Sequence, residues 1–476
     1  MFDRNVSRFI DEYFEELDAG NAAIFAGAGL SVPAGFVDWR DLLRPLANEL
    51  DLDIDLESDL VAVAQFHVNA NGNNRNRLHR ALIHALSPTT PPTINHRLLA
   101  RLPIATWWTT NYDKLIENSL RESGKIVDVK FAVPQLANTQ PRRDALVFKM
   151  HGDIDRPDEA VVTRDDYERY SRDRGAFITA LAGDLVSKTF LFLGFSFTDP
   201  NLEYVLSRVR MSFQENQRRH YAIFRKRTRK DGETDAEFEN AKTRQILVLE
   251  DLKRFNIKAI LVDEYSDVTS ILEELERRHR RQTVFVSAAA SNFDPWGEPA
   301  VNAFMRALGT ALVSSGLRVA TGYGLGVGNA LFTGAIEEVL RTKTRHIDDA
   351  LIIRPFPQAI PDKTERARVW EHYRQEIIGA AGIALFLFGN KIEDAKLVPS
   401  DGMQQECDIA RHRRLALIPI GATGSMASEL LKQAIADPDV SDHIKSQLAA
   451  LAKPVSDLMD LVRPITNLVR DLKEGK

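Results

Sequence analysis

The sequence predicts an α/β protein built from two doubly wound parallel-sheet domains, and three observations predict it. Short apolar runs alternate with longer stretches of helical periodicity, from Ala22 to Val262 and again from Val284 to Ile420. Polar clusters follow the apolar runs directly: Thr109-Thr110-Asn111-Tyr112-Asp113, Lys149-Met150-His151-Gly152-Asp153 and Phe192-Leu193-Gly194-Phe195-Ser196. Open α/β sheets bind ligands at the carboxyl ends of their strands, where such clusters would stand. Finally, the alternation stops at the charged stretch Glu274–Arg281 and restarts with Val284-Phe-Val-Ser-Ala288. That places a boundary at 281/282, giving domains over residues 1–281 and 282–476.

In the first domain the spacing of Val6, Phe9, Ile10, Tyr13, Phe14 and Leu17 predicts an amphipathic helix over 4–18. Ala22 to Ala26 reads as a strand buried on both faces. Leu42, Leu43, Leu46 and Leu50 mark a helix in which Pro45 could introduce a kink. Helices follow at 59–69 and 93–102. Ile104 to Thr110 is a strand, and Tyr112, Leu115, Ile116 and Leu120 mark a helix. Ala145 to Met150 is a strand, 176–187 a helix and Thr189 to Gly194 a strand. Tyr221 to Phe224 and Ile257 to Val262 are strands separated by a long polar helix.

The second domain repeats the scheme: helix 298–315, strand 317–321, a glycine-rich loop, helix 330–341, strand 349–354, helix 364–379, strand 382–388, helix 402–412 and strand 414–420. Residues 442–474 read as a helical tail broken at Pro464. No fixed-period repeat and no low-complexity linker interrupts the chain.

Bulk properties narrow the function classes. The chain has 476 residues, 44% apolar and 27% charged, an ordinary composition for a soluble globular protein. Its formal net charge is −5, which carries no signature of nucleic-acid binding. The basic run Arg225-Lys-Arg-Thr-Arg-Lys230 is followed at once by acidic residues and reads as a solvated loop, with nucleic-acid contact the lesser alternative. Cys407 is the single cysteine. It excludes an intrachain disulfide and a thiolate zinc cluster, and it fits a reducing, cytoplasmic setting. No apolar run is long enough to span a bilayer, and the acidic, amphipathic start does not look like a signal peptide.

The stretch after the first strand carries most of the chemistry. Gly27-Ala28-Gly29-Leu30-Ser31 is a Gly-x-Gly turn followed by a small hydroxyl residue, and Gly35-Phe-Val-Asp38-Trp39-Arg40 comes shortly after. Glycine there permits positive φ and lets a ligand approach bare backbone N–H groups, as at a pyrophosphate site. A lone Gly-x-Gly is as well explained by a plain tight turn. Asn111 could place water or a ribose hydroxyl with its amide. Histidine is the side chain suited to proton transfer near neutral pH, so His151 could act as general base, and Asp113 could hold water or ribose. The alternatives are structural: Asn111 as a helix N-cap, and His151 as a cap for the Gly-Asp turn after it. Trp107 and Trp108 read as core or interface.

A second constellation lies in the second domain. Gly322, Gly324, Gly326 and Gly328 alternate through Thr321–Asn329 between a strand and a helix. That spacing does not suit a helix interior, so a loop offering N–H groups to phosphate is expected. Arg374 and Lys391 could reach phosphates, and Glu406, read as opening a helix, could accept from ribose or adenine. The plain alternative for Arg374 and Lys391 is surface charge. No nucleophile or metal cluster accompanies them, so this site reads as a binder.

Taken together, Gly27–Ser31 with Gly35–Arg40, Thr110–Asp113, His151-Gly152 and Gly194-Phe195-Ser196 resemble, in order, the nucleotide-binding and catalytic blocks of the sirtuin family. The resemblance covers residues 20–200 or so. It implies NAD as substrate, with Asn111, His151 and Asp113 catalytic and Gly27, Ala28, Gly29, Ser31, Asp38, Trp39, Arg40, Gly194 and Ser196 around the NAD. It departs from the family where Trp39 replaces the usual Phe, and one cysteine cannot build the four-cysteine zinc module of sirtuin deacylases, so no metal is expected. The second domain resembles the SLOG family, a Rossmann-like fold that senses or processes nucleotides. Both domains are thus expected to be Rossmann-like. The order sirtuin then SLOG, with Phe195–Asn201, Arg354-Pro-Phe-Pro-Gln358 and Phe388-Gly-Asn-Lys391, resembles the effectors of Thoeris anti-phage defence. That likeness implies an NAD glycohydrolase switched on by a cyclic ADP-ribose isomer held by Gly322, Gly324, Gly326, Gly328, Arg374, Lys391 and Glu406. It also implies a TIR-domain partner that makes the signal, and a homotetramer that forms higher assemblies. The other function classes are a lysine deacylase or ADP-ribosyl transferase, and a nucleotide sensor without turnover.

Overall fold

A computed structural model describes residues 2–86, 90–213, 216–343, 346–357 and 359–475. It divides into two compact units, Met1–Glu276 and Arg277–Lys476, so the division falls within the helix Tyr265–Arg280.

The first unit is built on a seven-stranded parallel sheet. Its strands are β1 (Ala22–Ala26), β2 (Thr106–Thr109), β3 (Val127–Lys130), β4 (Ala145–Lys149), β5 (Thr189–Leu193), β6 (His220–Arg225) and β7 (Ile257–Val262), in the order β3-β4-β2-β1-β5-β6-β7. The central strands β2, β1 and β5 are buried along their whole length because helices cover both faces. Alternation decides which side chain goes where. Ile24, Trp107 and Leu191 join one core with Phe9, Ile10 and Tyr13 of the helix Arg4–Asp18. Phe25, Trp108, Phe190 and Phe192 join the other, against the helices Gly175–Ser187 and Pro200–Phe213. Each fully buried side chain of this size contributes about 1.5–3 kcal/mol. A third, helical cluster is made by Trp39–Asn48, Leu60–Ala70 and Asn76–Leu86, packed on Tyr112, Ala160 and Val162.

The second unit has a five-stranded parallel sheet of β8 (Thr283–Ala289), β9 (Arg318–Thr321), β10 (Leu351–Ile353), β11 (Ile383–Phe388) and β14 (Ala416–Pro419), ordered β10-β9-β8-β11-β14. Between β11 and β14 lies an antiparallel hairpin of β12 (Asn390–Glu393) and β13 (Lys396–Pro399). Val284, Val286, Leu385 and Leu387 face one core, and Phe285, Ala384 and Phe386 face the other.

The structure departs from the sequence reading at several points. β3 reads Val-Asp-Val-Lys, a short alternating edge strand without an apolar run. The helix Arg164–Asp173 is almost wholly polar and buries only Tyr170, so periodicity does not mark it. The tail does not break at Pro464. The chain leaves the helix after Ala450, and Pro464 sits in the first turn of the helix Val462–Glu474, where its missing N–H leaves no bond unmade. Gly328 is not loop but the first residue of the helix Gly328–Thr342. Among the described residues, no helix is long and apolar enough to cross a membrane.

Candidate functional site

In the first sheet the strand order reverses between β1 and β5, and the loops leaving these two strands meet there. The Gly27 N–H donates to Leu193 O and the Gly29 N–H to Gly194 O, each at 2.9 Å. The glycines matter for close approach and not for positive φ at the first turn. Gly27 is extended, with φ −110°. A Cβ on it would lie 2.4 Å from Gly194 O, and one on Gly29 would lie 2.9 Å from Gly194 Cα. The left-handed residue is Gly194 itself, at φ +63°. Of the N–H groups expected to be bare here, those of Gly27, Gly29, Leu30 and Ser31 donate to backbone carbonyls of these two segments. The chain then runs through two short 3-10 turns, Ala28–Leu30 and Val32–Ala34, before any α-helix begins.

Beneath this turn, Ser31, Asn111 and Asp113 form one buried network. Asn111 Nδ2 donates to Gly27 O and to Ser31 Oγ, both at 3.1 Å. Ser31 Oγ donates to Asp113 Oδ2 at 2.8 Å, and Asp113 Oδ1 accepts from Leu115 N at 2.9 Å. Asn111 is therefore not a helix cap; the start of the helix Leu115–Glu122 is held by Asp113. With the amide nitrogen engaged twice, Asn111 Oδ1 is the atom left for a reactant. Asp113 has both oxygens engaged inside the protein, so it orients Ser31 and, through it, Asn111.

His151 stands at the end of β4, the strand next to β2. Its side chain is 5% exposed. The imidazole does not cap the following turn; Asp153 does that, accepting from Asp155 N at 2.9 Å. Nε2 instead lies 3.2 Å from Asp199 Oδ2, close enough for an ion pair, though out of line for a hydrogen bond. Asp199 also accepts from Tyr167 Oη at 3.1 Å and from Leu202 N at 2.9 Å. Burial pushes the Asp199 carboxyl up, but His151, Leu202 N and Tyr167 outweigh it and hold it below the usual range.

Lys149 fixes the two strand-end loops to each other. It is fully buried, and its Nζ donates to Tyr112 O at 3.0 Å, Asp113 O at 2.6 Å, Glu117 Oε1 at 3.2 Å and Asp153 Oδ2 at 2.5 Å. Burial pulls its pKa down, but Glu117 and Asp153 outweigh it and hold the ammonium above its ordinary value. Sequence reading gave neither Lys149 nor Asp199 a role. Lys149 could have been found as a cation ending an otherwise apolar run. Asp199, followed by Pro200, carries the signal of a helix N-cap, and capping is indeed one of its contacts.

The remaining expected residues are less convergent. Asp38 caps the helix Trp39–Asn48 by accepting from Asp41 N. Trp39 stacks on Tyr112 with ring centres 6.4 Å apart, and Arg40 donates to Ile54 O. Ala28 is half-buried at the turn, and Ser196 is exposed with its hydroxyl on Thr198.

In the second unit the order reverses between β8 and β11. The glycine loop after β9 lies against the end of β8: a Cβ on Gly324 would lie 1.6 Å from Ala288 O, and Gly326 has φ +80°. Gly322 abuts the Phe356 ring. Arg374 is 8% exposed, stacks over Phe356 at 5.2 Å, and has Nε 3.6 Å from Glu406 Oε1 with no hydrogen-bond partner. Glu406 lies in the middle of the helix Asp401–His412 and does not open it; its Oε2 accepts from Ser287 Oγ at 2.5 Å. Burial raises the Glu406 carboxyl, against the pull of Ser287 and Arg374. Lys391 sits on β12, partly exposed, and donates to Asp401 Oδ1 at 2.5 Å. Arg374 and Lys391 thus both reach the first turn of that helix, the former at Gly402. Gln358, which ends the Arg354–Gln358 motif, lies outside the described residues.

Comparison with known proteins fits this geometry. The model of the Sir2- and TIR-associating SLOG family matches residues 267–472, and that of the SIR2-like domain matches residues 105–247. A protein of Acinetobacter baumannii (strain 532279), named NAD(+) hydrolase ThsA, is 47% identical across 99% of this chain and 100% of its own length. A protein of the same name from Bacillus cereus (strain MSX-D12) is 42% identical across 98% of each chain. Defense-associated sirtuin 2 of Bacillus subtilis is 27% identical across 44% of this chain and 21% of its own length. With likeness at this level along both chains, a SIR2-like part and a SLOG part, this chain belongs to the ThsA family of NAD(+) hydrolases.

Proposed function

We propose that the first unit cleaves NAD to nicotinamide and ADP-ribose, and that a cyclic ADP-ribose isomer bound to the second unit switches this activity on. The observation that carries the catalytic half is the Ser31–Asn111–Asp113 network, with His151 at the neighbouring strand end. Breaking the bond between ribose C1′ and the nicotinamide nitrogen builds positive charge on the ribose. Asn111 Oδ1, held still by two bonds on Nδ2, accepts from a water and sets it for attack at C1′. His151 takes the proton that water loses. The family name shared by the relatives supports the substrate.

The regulatory half is supported by the buried Arg374 with an unpartnered Nε, by Lys391 nearby, and by the glycine loop at the reversal of the second sheet. These groups suit a ligand with phosphates, and Glu406 suits ribose hydroxyls. A TIR-domain protein as the source of the signal is supported by the family description. A homotetramer that forms higher assemblies completes the reading.

The test is nicotinamide release from NAD with no peptide present, with and without a cyclic ADP-ribose isomer. Release that rises on adding the isomer is expected. Release only with an acylated peptide would make the chain a deacylase, and no release under any condition would end the catalytic reading.

A further inference from the structure

His151 Nε2 is enclosed in the protein and faces Asp199 Oδ2 at 3.2 Å. Asp199 lies on the loop after β5, yet β5 is three places from β4 in the sheet order β4-β2-β1-β5. At usual strand spacing that is about 14 Å. The loop spans it by way of two left-handed residues, Gly194 at φ +63° and Phe197 at φ +60°. Once there, the Asp199 carboxylate is fixed at both oxygens. Oδ1 accepts from Leu202 N at 2.9 Å, and Oδ2 accepts from Tyr167 Oη at 3.1 Å. The Tyr167 ring also stands edge-on to the imidazole, 5.5 Å between centres and 75° between planes. An imidazole has two ring nitrogens, and with Nε2 turned into the protein toward a carboxylate, Nδ1 is the one left for a reactant.

We propose that Asp199 is a positioning residue for NAD cleavage: its carboxylate, 3.2 Å from Nε2, favours the His151 proton on that nitrogen by its charge, so that Nδ1 is the base, and Tyr167 holds Asp199 in turn. This rests on the catalytic reading above and adds to it the tautomer and its keeper. In the step, the water oxygen bonds to C1′ as the bond from C1′ to the nicotinamide nitrogen breaks. The bonding pair leaves with that nitrogen and cancels its positive charge. The water proton passes to Nδ1, and the imidazolium so formed lies beside the Asp199 carboxylate until the proton returns to solvent. The other polar groups near His151 have partners elsewhere. Tyr170 Oη donates to Met150 O and Tyr112 Oη to Val161 O. Arg174 donates to Phe131 O and Glu159 O, and Asp153 is bound to Lys149.

The test measures nicotinamide release across pH by the full chain, under the conditions that give turnover, for wild type, Asp199→Asn, Asp199→Glu and Tyr167→Phe. Asparagine caps a helix as well as aspartate does, so Asp199→Asn keeps the start of the helix Pro200–Phe213. It should lower kcat by about 10²-fold or more with KM little changed. It should also move the acid limb of kcat/KM to lower pH, because the imidazolium has lost its carboxylate. Asp199→Glu should restore part of the rate. Tyr167→Phe, which leaves Asp199 and its cap in place, should lower kcat in the same direction by a smaller factor. Asp199→Asn with wild-type kcat overturns the proposal, and so does a fall in kcat with the acid limb unmoved, which a merely structural role would give. If the wild-type chain itself releases no nicotinamide, the catalytic reading falls and this one with it; if it does, a silent Asp199→Asn overturns this proposal alone.

Discussion

The Gly27 Cα and the Gly194 carbonyl oxygen are packed so closely that a single methyl group on Gly27 would come within 2.4 Å of that oxygen. Backbone meets backbone there, because Gly27 N and Gly29 N donate to Leu193 O and Gly194 O. Neither side can yield without opening the turn that carries Gly27 O and Ser31 to Asn111. Gly27→Ala should therefore destabilise the protein by about 1–3 kcal/mol, as overpacking does, and lower NAD cleavage out of proportion to that loss. Thermal melting and turnover on the same preparation check this. A variant with unchanged melting and turnover would mean that the two loops separate freely.

The catalytic assignment predicts that Asn111→Ala and His151→Ala each lower NAD cleavage by about 10²–10⁴-fold. Asn111→Ala also leaves Ser31 Oγ without one of its partners, so a modest loss of stability accompanies it. Steady-state nicotinamide release and a melting curve separate the two effects. Wild-type turnover in either variant removes that residue from the mechanism.

Lys149 gives a prediction about stability rather than chemistry. Its ammonium is the buried partner of Glu117 Oε1 and Asp153, and Glu117 Oε2 has no hydrogen-bond partner. Lys149→Met fills similar space but strands two carboxylates in a low-dielectric interior. Breaking a buried pair from one side costs about 3–5 kcal/mol. Denaturant melts should show that loss, and Lys149→Met combined with Glu117→Gln should recover part of it. No recovery in the double variant would mean that the cluster is not the source of the cost.

How much of this was legible depends on what each residue contacts. Asn111 and His151 stand at the ends of apolar runs, and a run that ends in a polar residue is visible in the chain itself. The close approach of Gly27 to Gly194 is not, because glycine in a turn and glycine under a foreign carbonyl look alike in sequence. Asp199 was hidden for a similar reason. Asp before Pro signals a helix start, while its contact with His151 depends on a loop crossing two strands. β3 and the helix Arg164–Asp173 bury too few side chains to leave a period. The second sheet was readable because β8 and β11 are apolar on both faces, whereas the β12–β13 hairpin is mostly exposed and carries no such run.

His220 makes stability depend on pH. It is fully buried on β6, its Nδ1 accepts from Phe190 N at 3.2 Å, and burial, helped by Arg218, pushes its imidazole down to about 3. In the unfolded chain the same group titrates near its ordinary value of about 6.5. The folded pKa is therefore depressed, so the stability is complete above about 6.5 and is lost as pH falls toward the folded value. Across that window each pH unit costs about 1.4 kcal/mol. Unfolding free energy measured from pH 7 to pH 4 should fall, with His96, also pushed down by burial to about 4, adding to the slope, and His220→Gln should make it shallower by about 1.4 kcal/mol per pH unit. An unchanged slope in the variant would assign the acid sensitivity to other groups.

The last prediction concerns the second unit. Arg374 is buried, has no hydrogen-bond partner at Nε, and is stacked on Phe356 and facing Glu406. A ligand shifts an off/on equilibrium only by its differential affinity for the two states, and a swing from mostly off to mostly on needs about 10⁴-fold preference, or about 5.5 kcal/mol. One charge-assisted bond supplies about 1.5–3 kcal/mol, so Arg374 and Lys391 together cover most of the requirement and neither suffices alone. Arg374→Ala and Lys391→Ala should each raise the concentration of cyclic ADP-ribose isomer needed for activation by about 10-fold or more. Both leave Asn111 and His151 untouched. Lys391 must also release Asp401 and Glu393 to reach a phosphate, so its effect should be the smaller of the two. Titrating the isomer against nicotinamide release in the three proteins checks this. Identical activation curves would mean that the signal binds elsewhere in the chain.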